Sequence, residues 1–392
     1  MCAPLDMTAS PRLLAPLVAA AYLPIAACAG APPPDPTPPR PAPAPADKAA
    51  PLPPAATDDP LPPRAGAGVA IEQQWRAALA DREAAASERP SDPAAVSELA
   101  WAAFLAGDLD RAEAAANRAL RLARKGAMKG ASLYQLARIR EARGDRSGAR
   151  KALQRALRAR PGDRVVGAAL ARLRPSDHRA VYKLAAACAV SLDHPDEHDE
   201  PGPDSVCEEL TPAGSAAGFR AVRVGSASGE TSEAEAVLLR RDAQGWTAIA
   251  YLGDDIQHAS AGDAIGTSSV QVKDIGVEGE GDRQVVRVAV ELEYQEGGER
   301  TSSGSTPVTW SRENQVVLCA AAGAGPCLTV LAGAAGATTP VREFDARPDL
   351  IQTAPPAFEV DVIVRDGMAL VVPLAGTLPV AAESLVGWHK LW

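Results

Sequence analysis

LAWAAFLAGDLDRAEAAANRAL, residues 99–120, returns as LARIREARGDRSGARKALQRAL at residues 136–157. Leu99-Ala100, Gly107-Asp108, Ala112 and Ala119-Leu120 are matched by Leu136-Ala137, Gly144-Asp145, Ala149 and Ala156-Leu157, each displaced by 37 residues. A constant displacement of this size marks stacked structural repeats. Within each copy the apolar residues fall three and four apart, so each unit reads as two helices joined at Gly-Asp. Glycine tolerates the left-handed backbone that a tight inter-helix turn requires. Alanine at 112, 119, 149 and 156 lets the paired helices approach closely.

The pattern extends both ways. Pro161 closes the second unit, Leu170-Ala171 follows Leu136-Ala137 by 34 residues, and Ala78, Ala85 and Pro90 fall where an earlier second helix would place them. These residues resemble the tetratricopeptide repeat over roughly residues 70–175, with Ala103 and Arg140 standing where that family carries an aromatic residue. The three extra residues between the complete units are expected within residues 124–130. The resemblance implies an all-α solenoid with a concave surface that holds peptides or partner proteins. Residues 111–174 contain 18 Lys+Arg against 4 Asp+Glu, a net charge of +14. Lys129 and Arg138 are placed on or beside the inner helices, where an acidic segment of a partner protein is the natural ligand. Two other readings stay open: the cations solvate an alanine-rich surface, or they dock the acidic half of the same chain. That half, residues 176–392, holds 15 Lys+Arg against 32 Asp+Glu, while residues 1–175 hold 25 against 17. Nucleic acid is not an expected partner: aromatic residues make up 4% of the chain, and no base-reading element accompanies the basic stretch.

Upstream of the repeats, Arg12 precedes fifteen uncharged residues, Leu13 to Ala27, broken by Pro16 and Pro24. A basic start and a short apolar middle have the shape of a secretion signal, too short for a membrane span. The run ends Ile25-Ala26-Ala27-Cys28, which resembles the bacterial lipobox. The resemblance implies acylation of the Cys28 thiol and cleavage before it, with Met7 the expected start codon. Ala29, rather than Asp, after the cysteine implies export to the outer membrane. Residues 32–64 then contain fifteen prolines. Proline fixes φ and lacks a donor, so this stretch reads as a semi-rigid stalk, about 100 Å long if extended as polyproline II.

Past residue 178 the period changes to alternation, seen in residues 219–224, 284–294 and 358–364, with turn-forming clusters at 242–245, 279–282 and 297–298. Residues 358–373 read as one hairpin turned at Asp366-Gly367. About ten short strands, with no helix of length needed after about residue 190, predict an antiparallel sandwich or barrel-like domain. With Cys28 acylated and Cys2 upstream of Met7, four cysteines remain: Cys188, Cys207, Cys319 and Cys327. An even number in an exported chain implies disulfides. The local pairing, Cys188 with Cys207 and Cys319 with Cys327, is one of three arrangements. Val316 to Ala337 carries no charge over 22 residues, but its Ala/Gly composition and central Pro326 argue against a membrane span.

Catalytic signatures are absent from the sequence: there is no Gly-x-Ser-x-Gly elbow, Walker A loop or dinucleotide glycine pattern, and no cofactor is expected. His258 and His389 are candidate bases without a nucleophile. Asp254-Asp255 and Glu291/Glu293 are carboxylate pairs better read as surface groups. Asp193-His-Pro-Asp-Glu-His-Asp-Glu200 offers His194 and His198 as weak metal ligands, but Pro195 opposes the helix that would align them. The sequence therefore predicts a multi-domain envelope protein: residues 1–27 a signal, 28–68 an anchor and stalk, 69–175 helical repeats, and 176–392 a disulfide-containing β-rich domain. Its expected role is a membrane-anchored interaction scaffold, the alternative being an envelope hydrolase or polysaccharide binder with its site in the β domain.

Overall fold

A computed structural model describes residues 66–391, apart from 124–125, 175–176, 195–204, 229–230, 259–266, 298–299, 302–303, 306–307, 323–326 and 340–356. Cys28, the signal and the stalk lie outside the described residues.

Six helices come first: α1 (Ala67–Glu88), α2 (Pro93–Leu105), α3 (Leu109–Leu122), α4 (Gly126–Ala142), α5 (Arg146–Ala159) and α6 (Arg164–Arg172). Their starts are written in aspartate. Asp92, Asp108, Asp145 and Asp163 are N-caps whose carboxylates accept from the backbone N–H of Ala94, Arg111, Gly148 and Val166. Each cap satisfies a donor that the first helical turn would leave without a partner. Gly107 and Gly144 have φ of 85° and 83°, so the Gly-Asp pair supplies both the left-handed turn and the following cap. Helices α2 with α3 and α4 with α5 pack as pairs, and Ala112, Ala119, Ala149 and Ala156 are completely buried between them. Displacing α2 by 37 residues gives 130–142, so the extra residues of the second unit extend the start of α4.

Helix α7 (Arg179–Asp193) is a departure from the expected strands. Val181, Ala185, Cys188 and Ala189 form its buried stripe, packed on Val222, Val224, Val237 and Leu239 of the sheet. Beyond it, β1 (Ser205–Glu209), β2 (Phe219–Ser228), β3 (Thr231–Asp242), β4 (Gly245–His258), β5 (Thr267–Glu278), β6 (Val285–Gly297), β9 (Val308–Ala320), β10 (Leu328–Thr339), β11 (Phe358–Arg365), β12 (Met368–Gly376) and β13 (Gly387–Lys390) form one antiparallel sheet of eleven strands. The short strands β7 (Arg300–Thr301) and β8 (Gly304–Ser305) pair separately, and α8 (Val380–Glu383) precedes β13.

The β-rich domain is as expected; its described strands form a single antiparallel sheet in sequence order, with no closing ladder among the described residues. Alternation reports which face of a strand is buried, not whether the covering face belongs to a second sheet or to the same sheet coiled over. Here the sheet coils. Register shifts in β3–β4 and β5–β6 increase the local twist, and the described β4–β5 ladder is short, with Ile256 opposite Ser268. One coil encloses residues of β2 to β6 and β9, including Leu238, Leu252, Val288 and Val317. Arg240 of β3 donates to Ala321 O across it at 2.9 Å. A second encloses Leu318, Val330, Val360 and Val371.

The turn at Asp366-Gly367 is as expected: φ is positive at both residues, and Arg365 pairs with Met368 across the two-residue loop. Val316 to Ala337 lies within the β9–β10 hairpin, and no described helix is long and apolar enough to cross a membrane.

Strand β12 joins the two halves. Its Ala369 and Val371 face the second coil, while Leu370 and Val372 face a core shared with Phe104, Ala112, Leu136 and Ile139 of the helices. Residues 61–392 accordingly form one compact unit, in which this shared core lies between a core of the helices alone and cores of the sheet.

Candidate functional site

The face formed by α2, α4 and α6 carries the residues expected to bind a partner, and the chain's own C-terminal segment lies against it. Trp388 packs over Gly107, where a Cβ would stand 3.4 Å from the indole, and its Nε1 donates to Leu105 O at 3.1 Å. Gly387, at φ 106°, lies against Phe104 so closely that a Cβ would overlap the ring.

Arg138 sits at the centre of this contact and has no exposed surface. It donates through Nη1 to Ser384 O (2.6 Å) and through Nη2 to Val386 O (3.1 Å) and Leu385 O (3.3 Å). Glu141, one turn further along α4, takes Arg138 at 3.1 Å and also pairs with Arg172 of α6. The assignment of Arg138 to an external partner is corrected: its ligand is the backbone of residues 384–386. An arginine presents several donors in a planar fork, which suits a turn that aims three carbonyls at one side chain; Arg172 and His389 also approach Ser384 O and Leu385 O. The repeat register places Arg138 opposite Trp101, an unlike pair; that mismatch is the signal by which sequence alone could have marked the position.

His389 completes the cluster. Its Nε2 lies 2.6 Å from Leu385 O and 3.0 Å from Arg138 Nη2, and its Nδ1 stands 3.4 Å from Glu141 Oε1. Burial, reinforced by the charge of Arg138, pushes the His389 pKa down to about 4, so the ring is neutral at pH 7. Burial alone would raise Glu141, but Arg138 and Arg172, helped by His389, hold it well below the usual carboxylate range. Burial lowers the Arg138 pKa, opposed by Glu141. With its ring nitrogens engaged in this way, His389 is a structural group and not a base facing a nucleophile.

The other expected residues are dispersed. Lys129 is half-buried in the first turns of α4 and makes no ion pair with a described residue. The cysteines pair locally: Cys188 with Cys207, tying α7 to β1, and Cys319 with Cys327, across the β9–β10 turn. His194 is exposed at the end of α7, and His198 lies outside the described residues, as does the side chain of His258. Among the described residues no three His, Cys, Asp or Glu side chains converge as a metal site. Asp254 and Asp255 point to opposite faces of β4, Asp254 to Tyr251 and the buried Asp255 to Arg223 Nη1 at 3.1 Å. Glu291 pairs with Lys273 at 2.8 Å on the sheet surface.

The free charge lies on α5. Ala149, Ala152, Leu153 and Ala156 form its buried side. Arg150, Lys151, Arg155 and Arg158 are exposed around the opposite arc and form no ion pair among the described residues. On α3 the situation differs: Arg111 pairs with Glu83 at 3.0 Å and Arg118 donates to Pro90 O at 2.7 Å. A groove of about 320 Å3 also opens between α1, α2 and α4, lined by Trp75, Arg82, Glu98, Trp101, Leu105 and Gln135.

Fold and site define a class by structure: antiparallel helices docked through a buried arginine on the closing strands of a single coiled sheet, with a cationic helix left outward. No protein-family model matches this chain, and a search of curated proteins finds no match.

Proposed function

We propose that the protein is an envelope lipoprotein, anchored through Cys28, whose helical repeats of tetratricopeptide type hold a partner protein at the outer membrane. The observation that carries the reading is the α5 face. Among the described residues Arg150, Lys151, Arg155 and Arg158 stand exposed without a carboxylate, while Arg111 and Arg143 on neighbouring helices pair with Glu83 and Asp110. A surface of this kind gains most from an acidic segment, since like charges crowded on one helix face are relieved by a complementary partner. The Ile25 to Cys28 sequence and the proline stalk support the anchor, and two disulfides accord with folding in an oxidising compartment.

The test separates anchor from docking. Cys28→Ala is expected to move the protein from the membrane to the soluble fraction. Reversal of α5 charge (Arg150→Glu with Arg155→Glu) in the lipidated protein is expected to abolish a crosslinked, salt-sensitive partner while leaving circular dichroism unchanged. Partner capture that survives both reversal and high salt would exclude α5 as the docking face.

A further inference from the structure

Behind the Arg138 contact, the helices and the sheet leave a cleft of about 360 Å3. It is walled by the end of α4 and start of α5 (Glu141, Gly144, Arg146), by Arg172 of α6, by the start of β10 including Thr329, and by His389, Lys390 and Leu391. This volume is within the range of small-molecule sites. The cleft is distinct from the exposed arc of α5 and stands independently of the partner reading.

Its charges do not balance. Arg146, Arg172 and Lys390 line it and Arg138 lies behind it, against one carboxylate, Glu141, which Arg138 and Arg172 already share. Neither Arg146 nor Lys390 forms an ion pair among the described residues. The Lys390 stem lies against Gly144, where a Cβ would come within 2.9 Å of Cδ. Excess positive charge in a low-dielectric recess raises the local concentration of anions.

A second observation also points to an anion: Arg172, which lines the cleft, has a buried Nε donor without an acceptor among the described residues.

We infer that this cleft binds a small oxyanion, of the class of phosphate monoesters or carboxylates, its oxygens held by Arg146, Arg172 and Lys390.

Inorganic phosphate is the probe. Isothermal titration of the full-length protein at constant ionic strength and pH 7 is expected to give saturable phosphate binding, with chloride as the non-oxyanion control that does not compete. Acetate, compared in the same way, separates a carboxylate source from a phosphate one: acetate binding in preference to phosphate would assign the site to the carboxylate class. Lys390→Gln and Arg146→Gln, both at exposed positions, are each expected to weaken oxyanion binding about tenfold, whereas Arg155→Gln on the outer arc of α5 leaves it unchanged. Equal loss in Arg155→Gln, or no saturable binding of either phosphate or acetate, would overturn the assignment.

Discussion

Arg138 carries two consequences in one side chain. Its guanidinium is the link between helix α4 and residues 384–386, and removing it takes one donor from each of three carbonyls, leaving Ser384 O to Arg172 and Leu385 O to His389, while Glu141 keeps only Arg172 and His389. Breaking a buried, hydrogen-bonded ion pair from one side costs about 3–5 kcal/mol, so Arg138→Met should lower the urea midpoint by the equivalent amount. An unchanged midpoint would mean that the contact contributes no net stability. His389 makes the same contact sensitive to acid. Its pKa is about 4 in the folded chain against 6.5 for the free side chain, so between those values the unfolded state binds a proton that the folded state refuses. Stability therefore falls as pH drops from 6.5 to 4, by up to about 3 kcal/mol from this group, and levels off below. Glu141, with its pKa held below the free value of 4.5, adds a loss of the same sign at lower pH. Denaturation midpoints measured from pH 7 to pH 4 should show the slope in the parent protein, and His389→Gln should flatten it; a parallel curve for the variant would contradict the assignment.

At the scale of elements, α7 and β1 depend on one covalent tie. Cys188 and Cys207 lie 19 residues apart, with Cα atoms at 5.6 Å, and hold α7 where it covers Val222, Val237 and Leu239. Closing a loop of this length stabilises by about 3 kcal/mol through the unfolded state. The double substitution Cys188→Ala/Cys207→Ala should lose about that much, and hydrogen exchange should quicken in α7 and β2–β4 before it does in α1–α6. Uniform quickening across the helices would show that the tie supports the whole unit instead. Much at this scale was readable beforehand. The Gly-Asp turns, the Asp366-Gly367 hairpin and the cysteine pairs by spacing all follow from chemistry within a few residues. The 37-residue repeat set the helix pairs correctly, down to the extra residues at the start of α4. Helix α7 was missed although Val181, Ala185, Cys188 and Ala189 show helical spacing, because alternation further along drew the boundary too early.

Across the whole molecule, helices and sheet share a core. Leu370, Val372 and Trp388 are buried with Phe104 and Leu136, so the helices without the last strands would expose a face built to be covered. A fragment ending at residue 175 should lack the cooperative thermal transition of the full chain, and a fragment melting at the full chain's temperature would refute the shared core. Among the described residues, the opposite charges of the two halves do not dock as side-chain pairs of the expected sense. At the seam it is the sheet that offers Arg365 and helix α1 that offers the buried Glu72, 2.7 Å apart, while Arg138 takes neutral carbonyls. From its order of residues alone this chain declares its turns, its repeat length and an even set of cysteines to be paired, because each depends on neighbours a few positions away or on a number that can be counted. Which surface covers Arg138, how the sheet coils upon itself, and where a cleft is left between helices and strands were settled only by tertiary packing, since those outcomes rest on contacts between residues as far apart as 138 and 386, and on the balance of burial against unsatisfied polar groups that no local pattern encodes.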